Sequence, residues 1–255
     1  MAKITIFGSC RQDSIYNSFS VTRIRDELTY PHYTSEALQA VKFVSGKINK
    51  QNLNLNIAFR TSLLDGKIGS DQKLRNDFRN SDLFIVEIAS RKSYKVEDTF
   101  AHHIIEDPEL SHLQNSELII DFESDDMIEQ NILEMQSIFE PRPMMLVTHF
   151  YTKKSRMRYE FVTLLKQIGE KHKIPVFDPV EQFGGCDMIL ESLEPEKVLT
   201  HYNRMGHQFV GTKYKEFIES NFDIKPSKKL FSPILKKQIK SRIMTRFNSL
   251  VNKIK

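Results

Sequence analysis

Cys10 is the residue of this sequence whose type and position most directly predict chemistry. It follows Gly8 and Ser9 at the end of a short apolar run, residues 3–7. A cysteine thiolate can attack an acyl carbonyl and form a thioester when a neighbouring base takes the thiol proton. The alternative is that Cys10 fills a small apolar gap, as buried cysteines often do. Both readings stay open on these residues alone.

The run before Cys10 predicts a buried strand that delivers the thiol to the end of a sheet. Ile4, Ile6 and Phe7 suit a covered, pleated surface, and Gly8 allows a backbone turn that a side chain would hinder. Four further apolar runs predict strands at residues 56–61, 82–89, 144–148 and 174–177. Helical periodicity or capping signals lie between them, at about 13–19, 34–43, 124–138, 155–172 and from about 203.

Strands alternating with helices predict an α/β fold, with a mostly parallel five-stranded sheet covered by helices on both faces. Residues 90–122 predict little regular structure and form an excursion near the site. The carboxyl ends of parallel strands share one edge, where ligands bind in folds of this kind. Polar residues at that edge are Ser9, Cys10, Arg11, Arg60, Thr61, Ser90, Arg91, His149, Asp178 and His201. Topology alone gathers such residues, even where most of them are inert.

Several edge residues have a structural alternative. Asp178 can be a site carboxylate or the cap of the next short helix, and His149 can line the site or be a buried structural histidine. The arginines can bind an anionic ligand or pair with acidic groups of the domain. His102, His103 and His112 show no metal-ligand spacing and are expected to be exposed loop histidines, so no metal site is predicted.

Charge divides the chain at about residue 225. Ten of the 37 Lys and Arg residues lie in 225–255, which holds no Asp or Glu. Residues 1–224 therefore carry 27 basic and 33 acidic side chains, which disfavours general nucleic-acid binding. We expect a domain over 1–224 and a separate tail over 225–255. Two cysteines and no long apolar segment predict a cytoplasmic protein without export or membrane crossing.

The tail predicts a basic amphipathic helix over residues 232–255. Apolar side chains recur there at three- and four-residue steps, while lysines and arginines occupy mostly other faces. Such a helix can lie on an anionic membrane surface, dock on a second copy of the chain, or pack on the domain itself. A membrane-bound tail would make the protein peripheral to the inner face of the membrane.

Two short motifs resemble the SGNH/GDSL hydrolase superfamily. The first is Gly8-Ser9-Cys10 after the first strand, and the second is His201-Tyr202-Asn203-Arg204-Met205-Gly206 at the start of the last helix. The Gly-Ser-Cys form is similar to the branch of GSCFA-type proteins and WcbI-like enzymes of polysaccharide biosynthesis. The resemblance implies a three-layer, flavodoxin-like sandwich, with Cys10 in the place of the nucleophilic serine and His201 in that of the base.

The sequence departs from the superfamily's pattern at two places. Val198 stands where the superfamily has a histidine-orienting Asp, which leaves Asp178, Glu196 and Thr200 as candidates for that role. Ile88-Ala89-Ser90-Arg91 replaces the segment that carries the oxyanion-hole Asn, so Ser90 or Arg91 would have to substitute.

The resemblance implies an acyltransferase or esterase that acts on a small-molecule or glycan substrate. It further implies transfer of an acetyl group from acetyl-coenzyme A to a polysaccharide precursor, with no tightly bound cofactor. The alternative is a non-catalytic relative that binds a glycan or nucleotide-linked ligand and serves as a scaffold at the membrane surface. Loss of the orienting Asp and the oxyanion Asn favours the alternative, whereas retention of Cys10 and His201 favours the enzyme.

Overall fold

The computed structural model describes residues 2–22, 24, 28, 31–65, 68, 70–113, 117–151, 156–185 and 201–226. The amphipathic tail, 232–255, lies outside these residues and stays a prediction. The same holds for Cys186, Val198, Glu196 and Thr200. Within the described residues, no helix is both long and apolar enough to cross a membrane.

A five-stranded parallel sheet forms the centre of the fold. Its strands are β1 (Lys3–Phe7), β2 (Ser20–Val21), β3 (Leu83–Ile88), β7 (Met144–Thr148) and β8 (Val176–Phe177). Their order, β2-β1-β3-β7-β8, is the order of flavodoxin-like folds when the five strands are counted along the chain. The predicted α/β fold with a parallel five-stranded sheet is therefore confirmed.

The predicted second strand is wrong. Ser20 and Val21 pair with Lys3 and Ile4 and take the edge position. Residues 56–59 instead form turns, although Ile57, Ala58 and Phe59 are at most 2% exposed. A short apolar run reports burial and does not by itself specify a strand. Arg60 and Thr61 consequently begin a helix and do not follow a strand of the sheet.

Helices cover both faces of this sheet. They are α1 (Thr34–Ser45), α2 (Arg60–Asp65), α3 (Asp71–Arg79), α4 (Asp125–Phe139), α5 (Arg156–His172), α6 (Pro179–Gln182) and α7 (Arg204–Asn221). Alternate side chains of β3 enter two separate cores: Phe84 and Val86 pack with α1, α3, α4 and α5, whereas Leu83 and Ile85 pack with α7. This alternation is the period of a strand that is buried on both faces.

Residues 90–122 contain a second sheet, contrary to expectation. It is antiparallel, with order β5-β4-β6, and consists of β4 (Lys92–Val96), β5 (Thr99–Phe100) and β6 (Leu118–Phe122). Only Tyr94 and Val96 of β4 are buried. Two alternating buried residues are too few for the sequence to predict a strand there. Hydrogen bonds from distant residues also hold this sheet in place. The Tyr33 hydroxyl lies 2.7 Å from the carbonyls of both Tyr94 and Ala101 and shares its proton between them.

Glu123 joins this second sheet to the amino end of α1. One carboxylate oxygen accepts hydrogen bonds from the Thr34 N–H at 3.1 Å and the Thr34 hydroxyl at 2.8 Å, and the other accepts from the Ser35 N–H at 2.7 Å. The side chain is only 2% exposed. A buried carboxylate with these donors at a helix amino terminus satisfies N–H groups that have no partner inside the helix.

We expect Glu123→Ala to lower the free energy of unfolding by about 3 kcal/mol, because it leaves buried donors without an acceptor. Urea unfolding followed by circular dichroism measures this loss. The matched control is Asp121→Ala, an exposed carboxylate on β6 two residues before Glu123, which should change the free energy by about 0.5 kcal/mol or less. Equal losses in the two variants would contradict the anchoring role of Glu123.

Candidate active site

Cys10 lies where β1 ends and a 3-10 helix, Cys10–Asn17, begins. Ser9 is the amino-terminal cap of that helix, and the Cys10 side chain is half-buried. The thiol therefore stands at the carboxyl edge of the parallel sheet, next to a helix amino terminus that favours negative charge. Position and surroundings both suit a thiolate.

Glu87, which sequence reasoning missed, holds the turn before Cys10. Its carboxylate on β3 accepts the Ser9 N–H at 2.5 Å, and its side chain is 2% exposed. A Cβ at Gly8 would meet the Glu87 Cβ at 2.8 Å, so only glycine allows this approach. A lone carboxylate within the buried run of β3 is the sequence signal that could have found it, because buried acids are rare unless they have partners.

Arg11 and His149 form the next contact at this edge. An Arg11 guanidinium nitrogen approaches His149 Nε2, while His149 Nδ1 lies 2.8 Å from the Phe150 carbonyl and donates to it. Burial, followed by the charge of Arg11, lowers the pKa of His149 well below 6.5, so the ring is neutral and Nε2 accepts. His149 is thus a buried histidine that also lines the adjacent cavity.

A cavity of about 330 Å³ opens beside this contact. It is lined by His32, Ala89, Ser90, Arg91, Lys92, Tyr94, His103, Phe122, His149, Met157, Arg158 and Phe161. Three of these residues are Arg or Lys, and none is Asp or Glu. Desolvation, followed by the charge of Arg11, lowers the pKa of Arg158, which indicates that the two guanidinium groups lie near each other. Two of the three cations form ion pairs, Arg91 with Asp125 and Lys92 with Glu106, so an anionic ligand in the cavity would depend chiefly on Arg158.

Ser90 and Arg91 are both engaged in structural contacts. The N–H groups of Ala89 and Ser90 donate to the His32 carbonyl, each at 2.9 Å, and the Ser90 hydroxyl accepts from the Lys92 N–H at 2.9 Å. Arg91 donates to the Glu123 carbonyl at 3.1 Å and forms an ion pair with Asp125. The structural alternative therefore describes Arg91, and the Ser90 N–H is not available to an oxyanion.

The segment that carries His201 is held against the Cys10 helix by α7. Asn203 caps α7, accepting the Gly206 N–H at 2.8 Å. The Ser14 hydroxyl bonds His207 Nδ1 at 2.8 Å, and the Tyr214 hydroxyl donates to Gln12. His201 itself is half-buried. Two elements far apart in sequence, one beginning at Cys10 and one beginning just after His201, are thus packed together.

Gly211 makes this approach possible, because a Cβ there would lie 2.7 Å from the Ser14 carbonyl oxygen. The Tyr202 ring, next to His201, lies 6.2 Å from the Phe150 ring, and the Arg11 guanidinium lies 5.1 Å from the same Phe150 ring. These contacts connect the His201 segment to the turn that carries Cys10.

Asp178 is a helix cap, as one of the two expectations had it. Its carboxylate accepts the Val180 N–H at 2.9 Å and pairs with Lys166 at 2.8 Å, and the side chain is fully buried. Arg60 does not follow a sheet strand, yet its charge contributes to a lowered pKa at His103. Burial is the first cause of the lowered pKa of His103, and the added contribution of Arg60 indicates that this arginine lies near the histidines described next.

Three histidines converge at the inner wall of the cavity, and the expectation of exposed loop residues is wrong for two of them. His102 is 1% exposed and His103 is half-buried, whereas His112 is exposed as expected. The ring of His103 lies 4.1 Å from those of His32 and His102. Burial, followed by nearby positive charge, lowers the pKa of His32 to about 3, and burial lowers that of His103. Sequence spacing could not find the cluster, because His32 lies 70 residues before His102.

Residues 2–112 match the family described as the TviD N-terminal domain. The matched segment is somewhat less than half of the chain. The matched segment includes the Cys10 turn and the three histidines, and His201 lies beyond it.

Two solved structures are similar to the chain at low identity and with low TM-scores. A Lactobacillus plantarum protein is 13% identical over 56% of this chain and 69% of its own, with a TM-score of 0.37. An acetyl-xylooligosaccharide esterase from Geobacillus Stearmophilus is 13% identical over 85% of this chain and 94% of its own, with a TM-score of 0.40. No curated protein matches the chain significantly.

We expect Gly8→Ala to destabilise the protein by about 1–3 kcal/mol, because the added methyl overlaps the Glu87 Cβ in a packed core. It should also change the rate at which a thiol reagent modifies Cys10, since the turn must shift. Urea unfolding and reaction kinetics measure the two effects. Ser9→Ala, which adds no atom near Glu87, should cost about 1 kcal/mol or less. A Gly8→Ala protein with unchanged stability and reactivity would show that the close approach is not needed.

Proposed function

We propose that this protein transfers an acetyl group through a thioester on Cys10, with His201 as the general base. The proposed donor is acetyl-coenzyme A and the proposed acceptor is a hydroxyl of a glycan or polysaccharide precursor. The packing of α7 on the helix that begins at Cys10 is the observation that carries the proposal. The match of residues 2–112 to the TviD N-terminal domain supports acyl transfer in general terms.

The reaction has two balanced steps. His201 takes the Cys10 proton, the thiolate adds to the acetyl carbonyl of the donor, and the donor's thiolate leaves with that proton as the Cys10 thioester forms. In the second step, His201 takes the proton of the acceptor hydroxyl, whose oxygen attacks the thioester. The acetyl ester forms, and Cys10 regains its proton from His201. An unperturbed thiol, with a pKa of roughly 8.5, is largely protonated at neutral pH, so the base is needed.

The cationic cavity suits the anionic parts of such substrates. Arg11 Nε is buried and has no hydrogen-bond partner among the described residues, although a buried guanidinium nitrogen ordinarily has one. Phosphates of coenzyme A, or the carboxylate of an acidic sugar, could satisfy this donor and the Arg158 guanidinium. We assign anion binding to these two arginines and leave Arg91, which pairs with Asp125, in a structural role.

The Cys10 turn is the proposed source of oxyanion stabilisation. The Ser90 N–H, at the position where the superfamily's oxyanion residue follows the third strand, donates to the His32 carbonyl. We propose that the Cys10 backbone N–H, at the start of its helix, is a donor to the developing oxyanion. A scaffold without turnover would need no such donor, and the first experiment below distinguishes the two.

The first experiment is intact-mass spectrometry after incubation with acetyl-coenzyme A. The wild type should gain the mass of one acetyl group and Cys10→Ala should gain none, because the thiol is the acceptor atom. His201→Ala should acquire the adduct at least about a hundredfold more slowly, the usual size of a general-base effect.

Cys186→Ala is the matched control, since Cys186 is the second of the two cysteines in the sequence, and it should label like the wild type. Labelling that survives in Cys10→Ala would overturn the assignment of the nucleophile. A folded wild type that neither labels nor turns over would favour the ligand-binding scaffold.

The second experiment tests anion binding with a pair of arginines on α5. Arg158→Met should weaken coenzyme A binding about tenfold, equal to about 1.4 kcal/mol, as measured by titration calorimetry. Arg156→Met is the control, because Arg156 lies two residues away on the same helix, does not line the cavity and pairs with Glu160. Equal affinities for the two variants would show that Arg158 does not hold the anion.

A further inference from the structure

His32, His102 and His103 form a cluster whose nitrogen atoms converge. One ring nitrogen from each residue lies within 4.8 Å of the others. Ring centroids are 4.1 Å apart for His32–His103 and for His102–His103, and 5.5 Å apart for His32–His102. Two of the residues, His32 and His103, also line the cationic cavity.

The backbone on both sides of the cluster is fixed by hydrogen bonds. The His32 N–H donates to Glu36 at 2.7 Å, and the His32 carbonyl accepts from Ala89 and Ser90. On the other side, the Tyr33 hydroxyl binds the carbonyl of Ala101, which directly precedes His102. The Ile105 N–H donates back to the His102 carbonyl at 3.0 Å. These bonds hold the backbone of the three histidines in place without a ligand, as a preorganised binding site requires.

We propose that His32, His102 and His103 bind a divalent transition-metal ion of the Zn²⁺ class. Imidazole nitrogens are preferred ligands of this class, and three protein ligands leave one position of a tetrahedral ion open. Zn–N bonds of 2.0–2.1 Å place the nitrogen ligands of a tetrahedral ion roughly 3.3 Å apart. The three ring nitrogens lie within 4.8 Å of one another, so side-chain rotations that move each nitrogen by about 1 Å would bring them to that spacing. This site does not depend on the proposed acyl transfer.

A buried histidine nitrogen that needs a partner favours a bound ligand here over a cluster that is purely structural. His103 Nδ1 is buried and has no hydrogen-bond partner among the described residues. A buried nitrogen without a partner destabilises the fold, and coordination to a metal ion would give this nitrogen a partner.

The surrounding charge predicts what the open position would take. The three-histidine cluster contains no carboxylate. Burial, followed by the charges of His103, Arg11 and Arg158, lowers the pKa of His32, which indicates that the two arginines lie near it. A dication held by three neutral ligands keeps its full charge, so its open position would bind an anion from the cavity. A carboxylate, a phosphate or hydroxide fits that requirement.

The test uses the full chain without a polyhistidine tag, stripped with a chelator and dialysed. Calorimetric titration with Zn²⁺ alone should show one ion bound per chain, and bound Zn²⁺ should raise the thermal midpoint. Co²⁺ in its place should give the visible absorption of a tetrahedral nitrogen-ligated ion. His103→Ala and His32→Ala should each weaken Zn²⁺ binding at least about tenfold, since even the outer partners of metal ligands are worth that much.

His112→Ala is the matched control, because His112 is an exposed histidine in a neighbouring 3-10 helix, Pro108–Leu113, and it should bind like the wild type. Circular dichroism melts of the metal-free proteins establish that each variant is folded, and two independent ligand variants guard against one failing to fold. The proposal is wrong if the wild type binds no stoichiometric Zn²⁺, or if folded His103→Ala and His32→Ala bind it as tightly as His112→Ala.

Discussion

The hydrogen bond from the Ser9 N–H to the buried Glu87 carboxylate is the contact on which the candidate active site at the carboxyl edge of the sheet depends. It fixes the backbone just before Cys10, and it requires Gly8, because a Cβ at that position would overlap Glu87. The bond also joins β1 to β3, neighbours in the parallel sheet. A carboxylate placed inside a fully covered strand is costly unless it has partners, so its position there makes sense as a support for the turn.

From that turn outward, two separate structures meet the same edge. On one side, α7 packs on the Cys10 helix through Ser14, Gly211 and Tyr214 and brings the His201 segment with it. On the other side, the antiparallel sheet and Glu123 hold His32, His103 and the cavity beside β3. The Cys10 helix contacts α7 through Ser14, and Arg11 of the same helix contacts His149, which lines the cavity.

The backbone beside the cavity bears on one departure from the pattern of the SGNH/GDSL superfamily, at Ile88-Ala89-Ser90-Arg91. His32 accepts the N–H groups of Ala89 and Ser90 through its carbonyl, so the strand end that would otherwise offer an oxyanion donor instead supports the histidine cluster. The same backbone cannot do both, since one N–H has one proton to donate. In this chain, the segment Ile88-Ala89-Ser90-Arg91 therefore holds the backbone of His32 through the N–H groups of Ala89 and Ser90.

The sequence by itself determined the α/β class, the strands β1, β3 and β7, helices α4, α5 and α7, and the place of Cys10 at a strand end, because these depend on local periodicity and capping. It did not determine β2, since that strand has two residues and exists only through pairing with β1. Nor could it find the antiparallel sheet, Glu87 as a partner of Ser9, or the meeting of His32 with His102 and His103. The last two features join residues 70 or more positions apart, and the antiparallel sheet pairs Lys92 with Phe122 and Val96 with Leu118. Only the tertiary structure decided them, because local patterns carry no information about which distant residues meet.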